Sequence, residues 1–283
     1  MTLSNRMSSL ISAGTGREIT EFFPHHIPNC VIWYSANSGN FVTSSGKISE
    51  IIDMSRGKRR ASQSTAGFRT NFSYLNSVPT FNFDGADDYY DISNIIGLAT
   101  GNSESTVFVV GALNPVGSSN VFAIAWGDPA AGEARAMGAS ETTIAPIVDH
   151  AGGNDQEYSA DWDPELAVFE FVHEVSGPDT QVSVYKAGIL LQPSPITIAT
   201  STTLTRARLG DGVQVAAGTN LWAGQIVDVA VFSRKLSDDE RERVRLYFRS
   251  VNKVEPLAGQ IDNYVFENGD NFLFENGDNY LLD

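Results

Sequence analysis

Three carboxylates, Asp84, Asp87 and Asp88, fall within five residues that include Gly85. Hard oxygen donors this close together, in a segment that glycine lets bend, suit a hard divalent cation such as Ca2+, which takes about six to eight oxygens. The plainer alternative is that Asp84 and Asp87 satisfy the backbone donors of a turn, and the run lacks the ligand spacing of a dedicated calcium loop. A second acidic group, Glu157, Asp161, Asp163 and Glu165, surrounds Trp162. An indole face can stack on the C–H face of a pyranose while carboxylates accept its hydroxyl protons, so Trp162, Asp161, Asp163 and Glu165 make a candidate carbohydrate site. The alternative there is a solvated loop with Trp162 partly buried. His25, His26 and Cys30 invite a metal or thiol-nucleophile reading, but Pro24 and Pro28 and the want of further ligands favour an extended segment entering the body. Ala13-Gly14-Thr15-Gly16 lacks the third glycine and the preceding apolar strand of a dinucleotide-phosphate cradle.

The elements that must position these residues are mostly strands. Residues 106–113 (TVFVVGAL), 120–126 (NVFAIAW), 166–173 (LAVFEFVH) and 181–185 (QVSVY) are short apolar or alternating runs bounded by Gly, Pro, Asn and Asp. Residues 221–232 (LWAGQIVDVAVF) add another, with Val227, Val229 and Val231 expected on one face and Asp228 and Ala230 on the other. No helical pattern separates these runs, so antiparallel sheets packed as a sandwich are expected in preference to a parallel α/β fold. One helix is signalled: Ser237 at the N-cap, Glu240 three residues on, Asp238 and Asp239 in the first turn. Val244, Tyr247, Phe248 and Val251 give its apolar stripe, and Arg245 and Arg249 suit its C-terminal end.

The end of the chain repeats with a period of eight: residues 262–269 read DNYVFENG, 270–277 DNFLFENG and 278–283 DNYLLD. Asn-Gly between short apolar runs predicts two-residue turns and a three-stranded meander. Both faces of that meander would be apolar, which calls for a cover. Association with copies of the chain, as a trimer through Tyr264, Phe266, Phe272, Phe274 and Tyr280, is the expected cover, since the 256–260 linker sets the repeats apart from the body.

Bulk composition narrows the function. With 283 residues, 42% of them apolar, the chain can bury a large core without covalent staples. Its single cysteine excludes an intrachain disulfide. No secretory leader or membrane-spanning run is evident, which points to assembly in a cytoplasm without membrane insertion. Thirty-four acidic against 19 basic side chains, a formal charge of −15, argue against nucleic acid as a partner. The one basic cluster, Arg56, Lys58, Arg59 and Arg60, reads as a solvated loop.

Several of these segments together resemble a known family. Leu209-Gly210-Asp211, then Trp222 to Phe232 and Leu236-Ser237-Asp238-Asp239-Glu240-Arg241, resemble the closing strand and helix of the concanavalin A-like, laminin G-type jelly roll. Cys30 to Asn37, Asp53 to Gly57 and the Phe81 to Tyr90 stretch, with its F-D-G-A-D-D-Y, are similar to the family's earlier elements in the same order. The resemblance spans roughly residues 28–253 and implies an all-β jelly-roll sandwich with one α-helix, and Ca2+ as held by some of its members. Departures are Ala187-Gly188, where the family often has Asn-Gly, and the 128–165 stretch, which aligns with nothing. Jelly-roll glucanases carry their carboxyls as E-x-D-x-x-E on one strand; that string is absent, so the chain is expected not to be an enzyme. The terminal repeats are similar to the endings of phage tail and head appendage proteins. The expectation is therefore a virion structural protein for attachment or decoration, assembled in the host cytoplasm among other virion proteins. In that reading residues 1–27 form an anchor, 28–254 the lectin-like body and 255–283 the associating tail. A receptor-binding module for a host surface glycan and a polysaccharide depolymerase are the alternatives.

Overall fold

The structure is a computed structural model and describes residues 22–114, 120–130, 133–140, 144–149, 156–158, 162, 164–192, 195–198, 201–213, 218, 220–254, 264–265 and 271–272. Its strands are, in chain order, β1 (Cys30–Ser35), β2 (Phe41–Ser44), β3 (Lys47–Ile52), β4 (Arg60–Ser62), β5 (Asn71–Leu75), β6 (Val78–Asp84), β7 (Tyr90–Ile92), β8 (Ser105–Leu113), β9 (Val121–Gly127) and β10 (Ala134–Ala139). They continue as β11 (Pro146–Asp149), β12 (Gln156–Glu157), β13 (Ala167–Ser176), β14 (Asp179–Lys186), β15 (Ile189–Leu190), β16 (Ile196–Ile198), β17 (Arg206–Leu209) and β18 (Ala223–Phe232). Helix α1 (Asp238–Asn252) follows, then β19 (Tyr264–Val265) and β20 (Asn271–Phe272).

The body is an all-β, jelly-roll-like sandwich, as expected. The first sheet has the order β15-β14-β13-β8-β18-β6-β5, with β1 also on β18 and β16 on β14; the second runs β12-β11-β10-β9-β17-β7-β4-β3-β2. Apolar residues alternating on each strand meet between the sheets, with Phe81, Val109, Phe171 and Val229 from one and Ile51, Tyr90, Trp126 and Leu209 from the other. A second cluster lies on the opposite face of the first sheet, under α1: Trp33, Phe108, Val168, Ala230 and Phe232 meet Val244 and Phe248. Phe22, Phe23 and Ile27 join this cluster, so the chain is already packed on the body at residue 22.

The helix begins as its sequence signals: the Ser237 hydroxyl accepts the Glu240 N–H and the Glu240 carboxylate accepts the Ser237 N–H. Arg249 lies in its last turn, but Arg245 does not serve the helix end. Arg241 and Arg245 both reach Glu170 of β13, at 3.0 and 2.5 Å, and Glu170 is fully buried.

Two expectations about β18 and the basic loop are corrected. Val227 does not share a face with Val229 and Val231: a shift in register between Ile226 and Asp228 against β8 puts Val227 under the helix and Ile226 in the inter-sheet core. An extra residue in one strand reverses the alternation from that point on. Within the basic loop, Arg56, Lys58 and Arg60 are exposed, but Arg59 is only 5% exposed. Its guanidinium donates to the backbone oxygens of Val31, Asn94 and Ile96, tying three segments together.

In the tail, β19 and β20 pair antiparallel with Tyr264 opposite Phe272 and Val265 opposite Asn271. A two-residue Asn268-Gly269 turn would instead set Val265 opposite Phe272, so the pairing is one residue away from the predicted one. The third predicted strand, and Phe266, Phe274 and Tyr280, lie outside the described residues, as do the side chains of Tyr264 and Phe272.

Candidate functional site

The structure brings one predicted group together and removes another from the surface. Trp162 is fully buried. Its ring stacks on Phe169 at 3.9 Å between centroids and meets Trp222 edge-on at 4.9 Å, while its N–H donates to the Gly111 oxygen at 3.4 Å. With its faces covered by core neighbours this indole cannot receive a sugar, and its role as a platform is corrected. Of its acidic neighbours, Glu165 is exposed, Glu157 accepts the Ser140 hydroxyl at 2.7 Å, and Asp161 and Asp163 lie outside the described residues. His25 and His26 sit in a single turn of 3-10 helix, where His25 stacks on Phe23 and neither ring joins Cys30 in a ligand set. The Cys30 thiol is buried, which holds its pKa well above that of a free thiol and makes it inert.

Asp84, Asp87 and Asp88 do come together: one oxygen from each lies within 4.8 Å of the others. They sit where β6 ends and the chain turns into β7. Asp84 Oδ1 accepts the N–H groups of Ala86 and Asp87 at 2.8 and 3.3 Å, so the turn role expected of Asp84 is real. Asp88 differs. It is 1% exposed, its Oδ2 accepts the Asp84 N–H at 3.1 Å, and its Oδ1 is buried without a donor among the described residues. Burial, with the Asp84 charge adding to it, pushes the Asp88 carboxyl up to about 6. A buried carboxylate oxygen with no donor is a fit for the cation that the family resemblance implies.

Immediately beyond Asp88 lies a surface that the sequence did not single out. Tyr90 and Ile92 of β7 point into the core, so Asp91 between them points outward; likewise Ala207 and Leu209 of β17 face in and Arg208 faces out. Pairing then lines up Glu50 of β3, Ser62 of β4, Asp91 of β7 and Arg208 of β17 across the outward face of the second sheet. Arg208 Nε meets Asp91 Oδ1 at 3.2 Å, and its Nη1 meets the buried Asp211 at 3.0 Å. The Arg208 guanidinium lies 5.3 Å from the centre of the Tyr89 ring, and the Phe68 ring lies 6.0 Å from that of Tyr89. Asp91 keeps 64% of its side-chain surface exposed, and Phe68 is also exposed. Arg208 itself is only 6% exposed and is spent on Asp91, Asp211 and the Gly212 oxygen, so what the row offers to sugar hydroxyls is the Asp91 carboxylate that it holds in place and the Ser62 hydroxyl, with aromatic rings at its end. The Tyr89 and Asp91 flanking Tyr90 were the available signal, since strand alternation alone puts them on the face opposite a core tyrosine. Arg208 gave none, because its partner Asp91 is 117 residues away in the chain.

No protein-family model matches the chain, and no curated protein matches it in sequence. Solved structures do share the fold. Trypanosoma rangeli sialidase in complex with sialic acid superposes with a TM-score of 0.54 at 12% identity, over 80% of this chain and 34% of the sialidase. Domain 4 of AbnA, a GH43 extracellular arabinanase from Geobacillus stearothermophilus, in complex with arabinotriose, gives a TM-score of 0.50 at 10% identity, over 77% of this chain and 98% of the domain. The chain thus spans about a third of the sialidase and nearly all of the arabinanase domain. The expectation that the protein is not an enzyme is corrected by these neighbours. The same sandwich occurs in glycosidases, so this fold does not set the chain apart from glycan-active enzymes, whichever strand motif it lacks.

Proposed function

We propose that the chain is a lectin-like glycan-recognition module that receives sugar on the outward face of its second sheet. The observation that carries this reading is the outward row Glu50, Ser62 and Asp91, in which the buried Arg208 holds Asp91 in place and Tyr89 and Phe68 close one end. Hydroxyl-bearing ligands are matched by groups that both donate and accept, and the apolar face of a pyranose or furanose is matched by an aromatic ring. The fold is compatible with the task, since nearly the whole of an arabinanase domain solved with arabinotriose has it. A place on a phage particle, docked through the N-terminal segment and the 255–283 tail, is supported by the resemblance of the terminal repeats alone.

The test is a panel of bacterial polysaccharides with sialylated and arabinan oligosaccharides, probed with the chain and with Tyr89→Ala. The chain should bind at least one class, and Tyr89→Ala should weaken that binding about tenfold, the loss of ~1–1.5 kcal/mol of stacking. Binding that Tyr89→Ala and Asp91→Ala both leave intact would move the site elsewhere, and silence across the panel would remove the glycan reading. The same wells assayed for new reducing ends would register cleavage.

A further inference from the structure

The outward row of the second sheet shows a ligand one exposed carboxylate and no uncommitted base. Asp91 keeps 64% of its side-chain surface, and Arg208 takes only its Oδ1, so the carboxylate can still accept protons from a ligand. Arg208 keeps 7% of its side chain exposed and divides its guanidinium between Asp91, the buried Asp211 and the Gly212 oxygen. Arg60 is exposed, but it pairs at 2.6 Å with Glu50 of the same row. At the aromatic end Lys47 donates to the Gly67 oxygen at 3.1 Å, and Arg69 donates to the oxygens of Gln63 and Ser64, both at 2.8 Å. The acidic turn of Asp84, Asp87 and Asp88 leads into Tyr89 there, close enough for the Lys47 charge to act on Asp88. Arg206, the next outward residue of β17, is half-buried and also engaged.

We propose that this face selects neutral glycans, and that Asp91 is the residue that excludes acidic ones. A carboxylate accepts hydroxyl protons but repels a second carboxylate or a sulfate. A guanidinium fork is the group suited to an acidic sugar, because it meets a carboxylate with two parallel hydrogen bonds. Here the fork nearest the row is buried and turned onto Asp91 and Asp211 instead. The same pairing favours the neutral class: Arg208 fixes Asp91 in one place, so a sugar hydroxyl meets an acceptor that is already oriented. The formal charge of −15 adds a repulsion felt over roughly a Debye length, about 8 Å at physiological ionic strength. The inference rests on the glycan reading of this face and names the class of sugar it takes.

The experiment titrates the full chain with the neutral polysaccharides of the panel, arabinan and dextran among them, and with sialylated oligosaccharides and polygalacturonate. Each neutral polymer that binds is also tested after carboxymethylation and, as an uncharged control of like bulk, after hydroxyethylation. The hydroxyethyl form should bind at least about tenfold more tightly than the carboxymethyl form in about 20 mM salt, and the gap should narrow in about 300 mM salt. Asp91→Asn, close in shape and at an exposed position, should cut that ratio below about threefold by admitting the acidic form. A purely structural Asp91 would lower both affinities together and leave the ratio where it was. An acidic ligand preferred by the parent chain, or a ratio that Asp91→Asn does not move, overturns the inference and leaves the glycan reading standing. Should no glycan bind the parent chain at all, the reading and the inference fall together.

Discussion

Single buried carboxylates do most of the local organising in this molecule, each by collecting several donors at once. Asp53 accepts the N–H groups of Trp33, Ser55 and Arg59 and the Ser55 hydroxyl, which fixes the turn after β3 against β1. Asp211 accepts from Arg208 and from the N–H groups of Gly212, Gly218 and Asn220, shaping the loop beside the proposed glycan face. Asp228 is the most exacting case. It accepts the Trp33 indole N–H at 3.1 Å and the Asn252 amide at 2.8 Å, linking β18, β1 and the end of α1. Burial pushes its carboxyl from 3.8 up to about 6. Because the folded chain then holds a proton that the unfolded chain has released, stability from this group is full below about pH 3.8 and is lost as pH rises through about 6. The loss is on the order of 3 kcal/mol. Asp228→Asn should therefore flatten the fall in urea midpoint between pH 4.5 and 7.5. An unchanged pH slope in that variant would show that Asp228 does not titrate in this window.

At the scale of elements, α1 is held to the sandwich by an apolar stripe and by a buried ion triad. Val244 and Phe248 meet Phe108 and Phe232, while Glu170 of β13 receives both Arg241 and Arg245. Arg241 also stacks on Tyr185 of β14 at 4.2 Å from the ring centre. Removing the carboxylate would leave Arg241 with Asp238 alone and Arg245 with Glu242 alone, both at the helix surface, so Glu170→Ala should cost about 1–3 kcal/mol. Hydrogen exchange should show residues 238–252 opening before the inter-sheet strands. A loss under 1 kcal/mol, or uniform exchange, would contradict this account of the docking. The helix itself was legible in the sequence because capping is local: Ser237 and Glu240 satisfy each other three residues apart. The partner of Arg245 was not, since it lies 75 residues upstream on another element. The bulge in β18 was also invisible, because Ile226-Val227-Asp228-Val229 reads as plain alternation until pairing with β8 inserts the extra residue.

At the scale of the whole molecule, two sheets bury a continuous core and leave one outward face under α1, the other carrying the charged row. The sandwich was legible because alternation and turn residues recur in every strand, and the F-D-G-A-D-D-Y run marked the carboxylate cluster directly. The glycan face was not legible, for it is assembled across strands from β3 to β17 by pairing that no local window contains. Trp162 shows the converse: an aromatic among acidic neighbours reads alike whether it turns outward or, as here, stacks on Phe169 in the core. Where sugar meets the chain is the deciding fact for recognition on the second sheet. Amide chemical-shift mapping of the 15N-labelled protein, titrated with the best ligand of the panel, answers that. The shifts should cluster at residues 60–62, 89–91 and 206–208. Shifts confined to the loops near Trp162, or to strands of the first sheet, would contradict recognition on the second sheet.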